Sequence, residues 1–435
     1  MSSMLRASAV VLAAVLPLSW GLPPALRLAW TAAVVGALLG LLLTGRARLG
    51  PGSGVWLAAT YLAGVATVVS AAHAVDRATH VQNGVLLVAV WGLAPPVLRW
   101  AAGSRPDLLR AAATGLVLGQ TASSLVAVAQ AVTGGAVLGS AAELGRAPGL
   151  AGHSNVLGLL AAVAVVLCLG DLRTARTVRR RAALALLVAV NAGGLLASAS
   201  MTALAALALG SLVLAVALRV RLRWIVLAVA SLAALVTALA SLAPGAGSFR
   251  TPAERLLQVT GQTDQISTMA TRLETVQAAW EGIRRDALVG VGLDDASGVT
   301  SIVLDGETLT HDLPLRAWYQ GGLALVLAVV LVYLHVARGL VLAMRRGVAA
   351  TEASVLGVML SFALTSATLQ QPYFWLVATA ASASLSASRA RLRARDEPRG
   401  AARPAVRTAP AVGAPAPGAL RPPVLVGADP SARSV

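Results

Sequence analysis

The sequence predicts an all-α, polytopic membrane protein of about 12 transmembrane helices, with a large extracytoplasmic loop that contains an amphipathic helix. Three observations predict it. The first is composition: of 435 residues, 57% are hydrophobic and only 12% charged, and the mean hydropathy is +0.76. A soluble domain carries roughly 25% charged residues, and it could not keep this much apolar surface from water. Collagen, coiled coil and a wholly disordered chain are excluded by the same numbers. The second observation is a series of apolar runs near the roughly 20 residues that a spanning helix needs. The third is the placement of arginine along the chain.

The apolar runs fall at 7–22, 25–44, 54–74, 83–101, 111–133, 155–170, 182–198, 201–218, 224–243, 318–337, 351–369 and 372–388. Backbone amides in a bilayer must pair internally, so each run reads as a helix. The first begins after Arg6 and imitates a signal peptide. No small-x-small cleavage site precedes Trp20, so it reads as an uncleaved span. All 35 basic residues are arginine, which reads as a compositional habit rather than as phosphate chemistry. With the N-terminus inside, the short cytoplasmic segments hold 17 arginines and the short outer loops only Arg27, Arg77 and Arg146. That alternation is the positive-inside pattern. It predicts a multi-pass protein of the cytoplasmic (inner) membrane with both termini cytoplasmic. It also accounts for most of the net charge of +17, so no nucleic-acid partner is implied.

The expected organisation is membrane helices 1–9 over 1–243, the extracytoplasmic loop over 244–317, helices 10–12 over 318–388, and a disordered Arg/Pro/Ala-rich cytoplasmic tail over 389–435. The start of that tail, Arg389 to Arg395, is placed to meet anionic membrane lipids. The stretch 244–316 holds ten acidic residues against six arginines, in a chain otherwise poor in charge. A loop of this length is uncommon without a function or structure of its own. Within it Met269, Leu273, Val276, Trp280, Ile283 and Ala287 recur at helical spacing, with Glu274, Glu281 and Arg285 turned away. That predicts an amphipathic helix, lying on the outer membrane surface or on the mouth of the bundle and ended by Asp286 and Gly290-Val291-Gly292. The single cysteine, Cys168, excludes an intramolecular disulfide and a cysteine-based metal cluster. Neither a metal nor a cofactor is called for.

Polar residues gather on the outer side in three clusters. Arg146 and Gly149 lead into His153-Ser154-Asn155; Arg272 flanks the amphipathic stripe; His311-Asp312 precedes Arg316 and Gln320-Gly321-Gly322. Each has a plainer reading. Arg146 can be a lipid-phosphate anchor, and Arg272 can pair with Glu274 or Glu281. His153-Ser154-Asn155 can cap the sixth helix, and His311 can be an ordinary loop histidine. Gln120, Ser123, Ser124 and Gln130 form a polar stripe expected to hydrogen-bond between helices. Trp20, Trp100, Trp224 and Trp318 read as interfacial anchors, and His73, His80 and His335 receive no role.

These clusters resemble the O-antigen ligase family, within the wider superfamily of O-antigen ligases and polymerases. Arg146 to Gly158 is similar to that family's R-x-x-G-x-x-x-H-P-N-x-x-G segment. Arg272, Trp280 and Gly290-Val291-Gly292 resemble its R…W…G-x-G stretch, and His311-Asp312 with Gly321 resembles its H-N…E-x-G segment. Ser154 stands where proline is usual, Asp312 where asparagine is, and Gln320 where glutamate is common. Ser198 to Thr202 is similar to the family's S-x-S-R segment, with Met201 in place of arginine. The resemblance implies a membrane glycosyltransferase that needs no metal. Its donor is a polyprenyl-diphosphate-linked glycan and its acceptor a lipid or cell-envelope glycan. It implies Arg146 and Arg272 on the diphosphate, His311 as the catalytic base, and His153, Asn155, Asp312 and Arg316 in support. Polymerisation of lipid-linked repeat units would use nearly the same residues. A 12-helix secondary transporter is the other class, but ionisable groups near the midplane and a repeat between halves, its usual marks, are missing from the sequence.

Overall fold

The computed structural model describes residues 2–45, 47, 53–142, 145–220, 268–294, 299–301, 306–308 and 310–396, with Glu254, Leu257, Gln258 and Gln262 between them. The chain divides into a large unit, 1–391, and the remainder, 392–435. The described elements are α1 (Ser2–Val15), continued by a 3-10 turn at Leu16–Leu18, then α2 (Pro24–Leu43), α3 (Ser53–Ser70) and α4 (Arg77–Ser104). They continue with α5 (Pro106–Thr133), α6 (Ser154–Thr174), α7 (Val178–Ala197) and α8 (Met201–Ala217). After α9 (Thr268–Arg285) and a short hairpin of β1 (Val299–Ser301) and β2 (Gly306–Thr308) come α10 (Leu313–Arg346), α11 (Ala350–Ala363) and α12 (Pro372–Asp396). Seven of these, α2 to α7 and α10, are long and apolar enough to cross a membrane, and α8 and α11 are shorter apolar helices. The protein is a membrane-embedded helical bundle.

Helix α6 forms its centre. Every residue from Val156 to Val166 is buried, as expected of a helix that is apolar on all sides. Small residues let its neighbours close in. A Cβ at Gly115 or Gly119 of α5 would fall 2.2 Å from Val10 O or 1.9 Å from Ala14 O, so α1 and α5 touch backbone to backbone. The spacing of four between the two glycines is the small-xxx-small device of membrane helices. Helix α5 also carries the expected polar stripe. Ser124 Oγ donates to Asn191 Oδ1 of α7 at 3.1 Å, and the Gln120 amide donates to Leu157 O of α6 at 3.4 Å.

Contacts group the connections into two ends. At one end the α1–α2, α3–α4, α5–α6 and α7–α8 turns meet the segment after α9 and the start of α10. Gly21 abuts Leu150 and Gly152, Ala147 N–H donates to Ala197 O, and His73 reaches Gly290. This end is the mouth. The other end holds the arginine-rich connections, with ion pairs of Asp107 to Arg6 and Arg105 and of Asp171 to Arg180.

The structure departs from the sequence expectations in four places. Helix α10 is not the continuous span 318–337: at Gly322 (φ 62°, ψ −160°) the chain leaves helical geometry, dividing a short helix, 313–321, from a longer one that runs to Arg346. Helix α12 runs on to Asp396, where disorder was expected from 389, because Ala, Arg and Leu are strong helix formers. The amphipathic helix α9 forms, but its buried face is Thr275, Ala279 and Ile283, leaving Met269, Leu273 and Trp280 exposed. Small residues come closest to the bundle: a Cβ at Gly282 would meet the Tyr319 ring at 2.5 Å. The hairpin, with Val299 opposite Thr308, adds a strand pair to an otherwise helical fold. The apolar run 224–243, with Trp224, and the tail beyond Asp396 lie outside the described residues.

Candidate functional site

Arg146 is held from below. Gln130 and Ser123 on the α5 stripe receive the amides of Gly149 (2.9 Å) and Leu150 (3.0 Å), anchoring the loop that carries the arginine. Gly149 takes φ +58°, and a Cβ there would strike Ser123 O at 2.5 Å, so only glycine fits. The guanidinium then donates from Nη2 to Asn155 Oδ1 (2.6 Å) and from Nε to Ser198 O (3.3 Å). Ser200 Oγ donates to the same Asn155 oxygen at 2.8 Å. Arg146, Asn155 and Ser200 therefore form one network, in which the asparagine orients both the cation and the hydroxyl.

His153 caps α6: its Nδ1 accepts the Asn155 amide at 3.1 Å. The capping function falls to the histidine, which leaves the Asn155 side chain to bind Arg146. The outer edge of His153 is exposed, but its neighbours desolvate the ring and Arg146 lies close, and both hold the imidazole below its ordinary pKa, desolvation more strongly. Nδ1 is already engaged as an acceptor, so the neutral form suits the cap.

Arg272 reaches the same turn from α9. Its Nη2 donates to Thr202 Oγ1 at 3.3 Å, while Nε is buried without a hydrogen-bond partner among the described residues. It makes no ion pair among the described residues, so the expected alternative pairing with Glu274 or Glu281 is not what holds it. Burial lowers its pKa without bringing a guanidinium near neutrality. Arg146 and Arg272, separated by 126 positions, thus both bond to Ser198–Thr202, the turn joining α7 to α8. At its centre buried Ala199 adopts φ 45°, a conformation that costs a non-glycine residue roughly 1–2 kcal/mol. Met201, where the resembling family has arginine, is the first residue of α8 and is half-buried.

His311 and Asp312 stand on the segment leading into α10, both half-buried. Asp312 caps that helix by accepting the Leu315 amide at 2.8 Å. Burial raises its carboxyl pKa, and the Leu315 amide opposes part of that effect. Arg316 lies deeper and is almost wholly buried. Its Nε donates to Gln320 Oε1 (2.9 Å) and its Nη2 to Gln370 Oε1. Gln370 donates back to Gln320 at 2.9 Å, and Gln320 donates to Asp294 O at 3.2 Å. This ties the base of the α10 break to the connection before α12.

The break itself is built with the Gly290-Val291-Gly292 segment. Leu323 N–H leaves the helical ladder for Leu288 O (3.2 Å), and the released carbonyls of Tyr319 and Gln320 accept the amides of Val291 (3.0 Å) and Gly292 (2.9 Å). These three bonds replace helical ones that the break at Gly322 removes. Two histidines missed in the sequence hold the segment from the other side. His80, fully buried, donates from Nε2 to Thr67 O (2.7 Å) and accepts the Leu293 amide on Nδ1 (2.8 Å). Those partners fix a neutral ring with its proton on Nε2. His73 Nδ1 lies 3.0 Å from Gly290 O and 3.3 Å from Asp286 Oδ2. Asn83 donates to Leu293 O (2.8 Å), and Asp294 accepts the Asp76 amide (2.6 Å). The one legible cue was the glycine pairs on both partners of the exchange.

Among the described residues no three His, Cys, Asp or Glu side chains gather as metal ligands. The mouth therefore offers two oriented guanidiniums around one turn, with a histidine and a half-buried acid on the segment that leads into α10. Comparison with known proteins matches the chain to no family model and to no curated relative.

Proposed function

We propose that the mouth transfers a glycan from a polyprenyl-diphosphate donor to a hydroxyl of a lipid or cell-envelope acceptor, on the outer face of the cytoplasmic membrane. The reading takes the chain as twelve crossings with both termini inside. What supports it most is the pair Arg146 and Arg272 brought to the Ser198–Thr202 turn by hydrogen bonds of their own. The acceptor oxygen attacks the anomeric carbon, the bond from that carbon to the diphosphate oxygen breaks, and the diphosphate leaves with the electron pair. Guanidinium forks match phosphate oxygens and stabilise the developing charge best where water is excluded. The proton of the hydroxyl passes to His311, the base, because an imidazole titrates near ambient pH. Asp312, His153 and Asn155 orient these groups, and Arg316 steadies the helix that follows. The reading invokes no metal and no cofactor.

The test incubates membranes containing the protein with a polyprenyl-diphosphate oligosaccharide and envelope acceptors, in the presence of a chelator. Wild type is expected to transfer glycan. His311→Ala and Arg272→Ala, at equal expression, are expected to lose at least about 100-fold. A ladder of products identifies repeat-unit polymerisation; equal transfer by wild type and His311→Ala refutes the role given to the histidine.

A further inference from the structure

At the end of the bundle opposite the mouth, α3, α4, α10 and α12 come together. Arg99 of α4 donates from Nη1 to Ser53 Oγ at the start of α3 (3.3 Å), and Arg391 of α12 donates from Nη1 to Ala102 O of α4 (3.4 Å). Helix α10 packs on α12 at the same level: a Cβ at Gly339 would lie 3.6 Å from Leu385, so Arg338 and Arg389 leave neighbouring stretches of the two helices. Arg99, Arg338, Arg389 and Arg391 thus come from adjacent ends of three packed helices.

Arg338 also ends a column on α10. Leu327, Leu331, Leu334 and Arg338 follow one another at spacings of four, three and four, so they share one face of the helix. The leucines are 45%, 37% and 64% exposed. A bare hydrocarbon column running into a cluster of cations complements an amphiphile whose head is an anion. Free inorganic phosphate would satisfy the cations and leave the column uncovered.

We propose that the ends of α4, α10 and α12 bind an anionic phospholipid, with its phosphate among Arg99, Arg338, Arg389 and Arg391 and an acyl chain along Leu334, Leu331 and Leu327. Basic pockets between spanning helices hold phosphate headgroups in this way, and each arginine near the surface contributes about 1 kcal/mol, or about fivefold in affinity. The site is independent of the chemistry assigned to the mouth.

The experiment delipidates the full-length protein, reconstitutes it in phosphatidylcholine nanodiscs and titrates phosphatidylglycerol, reading retained lipid by native mass spectrometry and stability by thermal unfolding. Wild type is expected to retain phosphatidylglycerol selectively. The triple variant Arg99→Gln, Arg338→Gln, Arg389→Gln should bind on the order of 100-fold more weakly, while the matching lysine triple keeps most of the affinity. Removing Arg176, Arg179 and Arg180 in the same manner should change little. If the glutamine triple does not fold, exposed Arg338→Gln alone should cost about fivefold. The proposal is overturned if phosphatidylcholine binds equally, if the Arg176 triple loses as much, or if inorganic phosphate displaces the lipid at comparable concentration.

Discussion

A single oxygen organises the mouth: Asn155 Oδ1 accepts from the Arg146 guanidinium and the Ser200 hydroxyl together. A hydrogen bond to a charged group is worth roughly 1.5–3 kcal/mol, enough to hold a long side chain in one rotamer. That arrangement depends on His153 taking the cap. Because the fold holds the His153 imidazole below its usual pKa of 6.5, the unfolded chain takes up the proton first as pH falls. The histidine's contribution is therefore complete above about pH 6.5 and is lost below it. Thermal unfolding of wild type between pH 8 and 5 should show a steeper decline under about 6.5 than His153→Asn, whose amide can cap at any of these pH values. Parallel curves would remove the histidine from that role. Arg146 and Asn155 were legible as neighbours of one short sequence segment. Thr202 as the partner of Arg272 was not, since 70 residues separate them and no pattern links the two.

At the scale of elements, the exchange between the Gly290 segment and the α10 break is the least local feature. Gly322 holds φ +62°, and an added Cβ would sit 2.1 Å from Leu288 O; at Gly290 it would sit 2.5 Å from Gly322 N. Gly322→Ala is expected to destabilise by more than about 2 kcal/mol, combining the left-handed penalty with a backbone clash. Gly339→Ala, on the same helix in ordinary van der Waals contact, should be near neutral. Thermal unfolding in detergent compares them, and equal midpoints would show that the exchange tolerates a side chain. Periodicity reads α10 as one span because it registers apolar residues, and Gly321-Gly322 interrupts that pattern without reversing it. Helix α9 shows the opposite failure. Its apolar stripe is real, but small residues allow the closest approach, so Thr275, Ala279 and Gly282 face the bundle beside Ile283, while Met269, Leu273 and Trp280 of the stripe stay exposed.

For the whole molecule, the α1–α2, α3–α4, α5–α6 and α7–α8 connections gather at one end of the bundle, the end that the proposed function puts outside the cytoplasm. A reporter that is active only in the cytoplasm should therefore work when fused after Asp396 and fail when inserted at Gln262. Activity at both positions would break the proposed topology. The sequence by itself determined that this is a helical membrane protein, where nearly all the described helices lie, and which short segments concentrate its polar groups. Those properties follow from local composition, because crossing a bilayer depends on each segment's own apolar length and on the charges flanking it. Only the tertiary structure decided that Arg146 and Arg272 share one turn, that α10 breaks at Gly322, and that His73 and His80 hold the segment docked there. Such pairings depend on which backbones approach closely enough to exchange hydrogen bonds, and uniformly apolar helices carry no one-dimensional record of their neighbours.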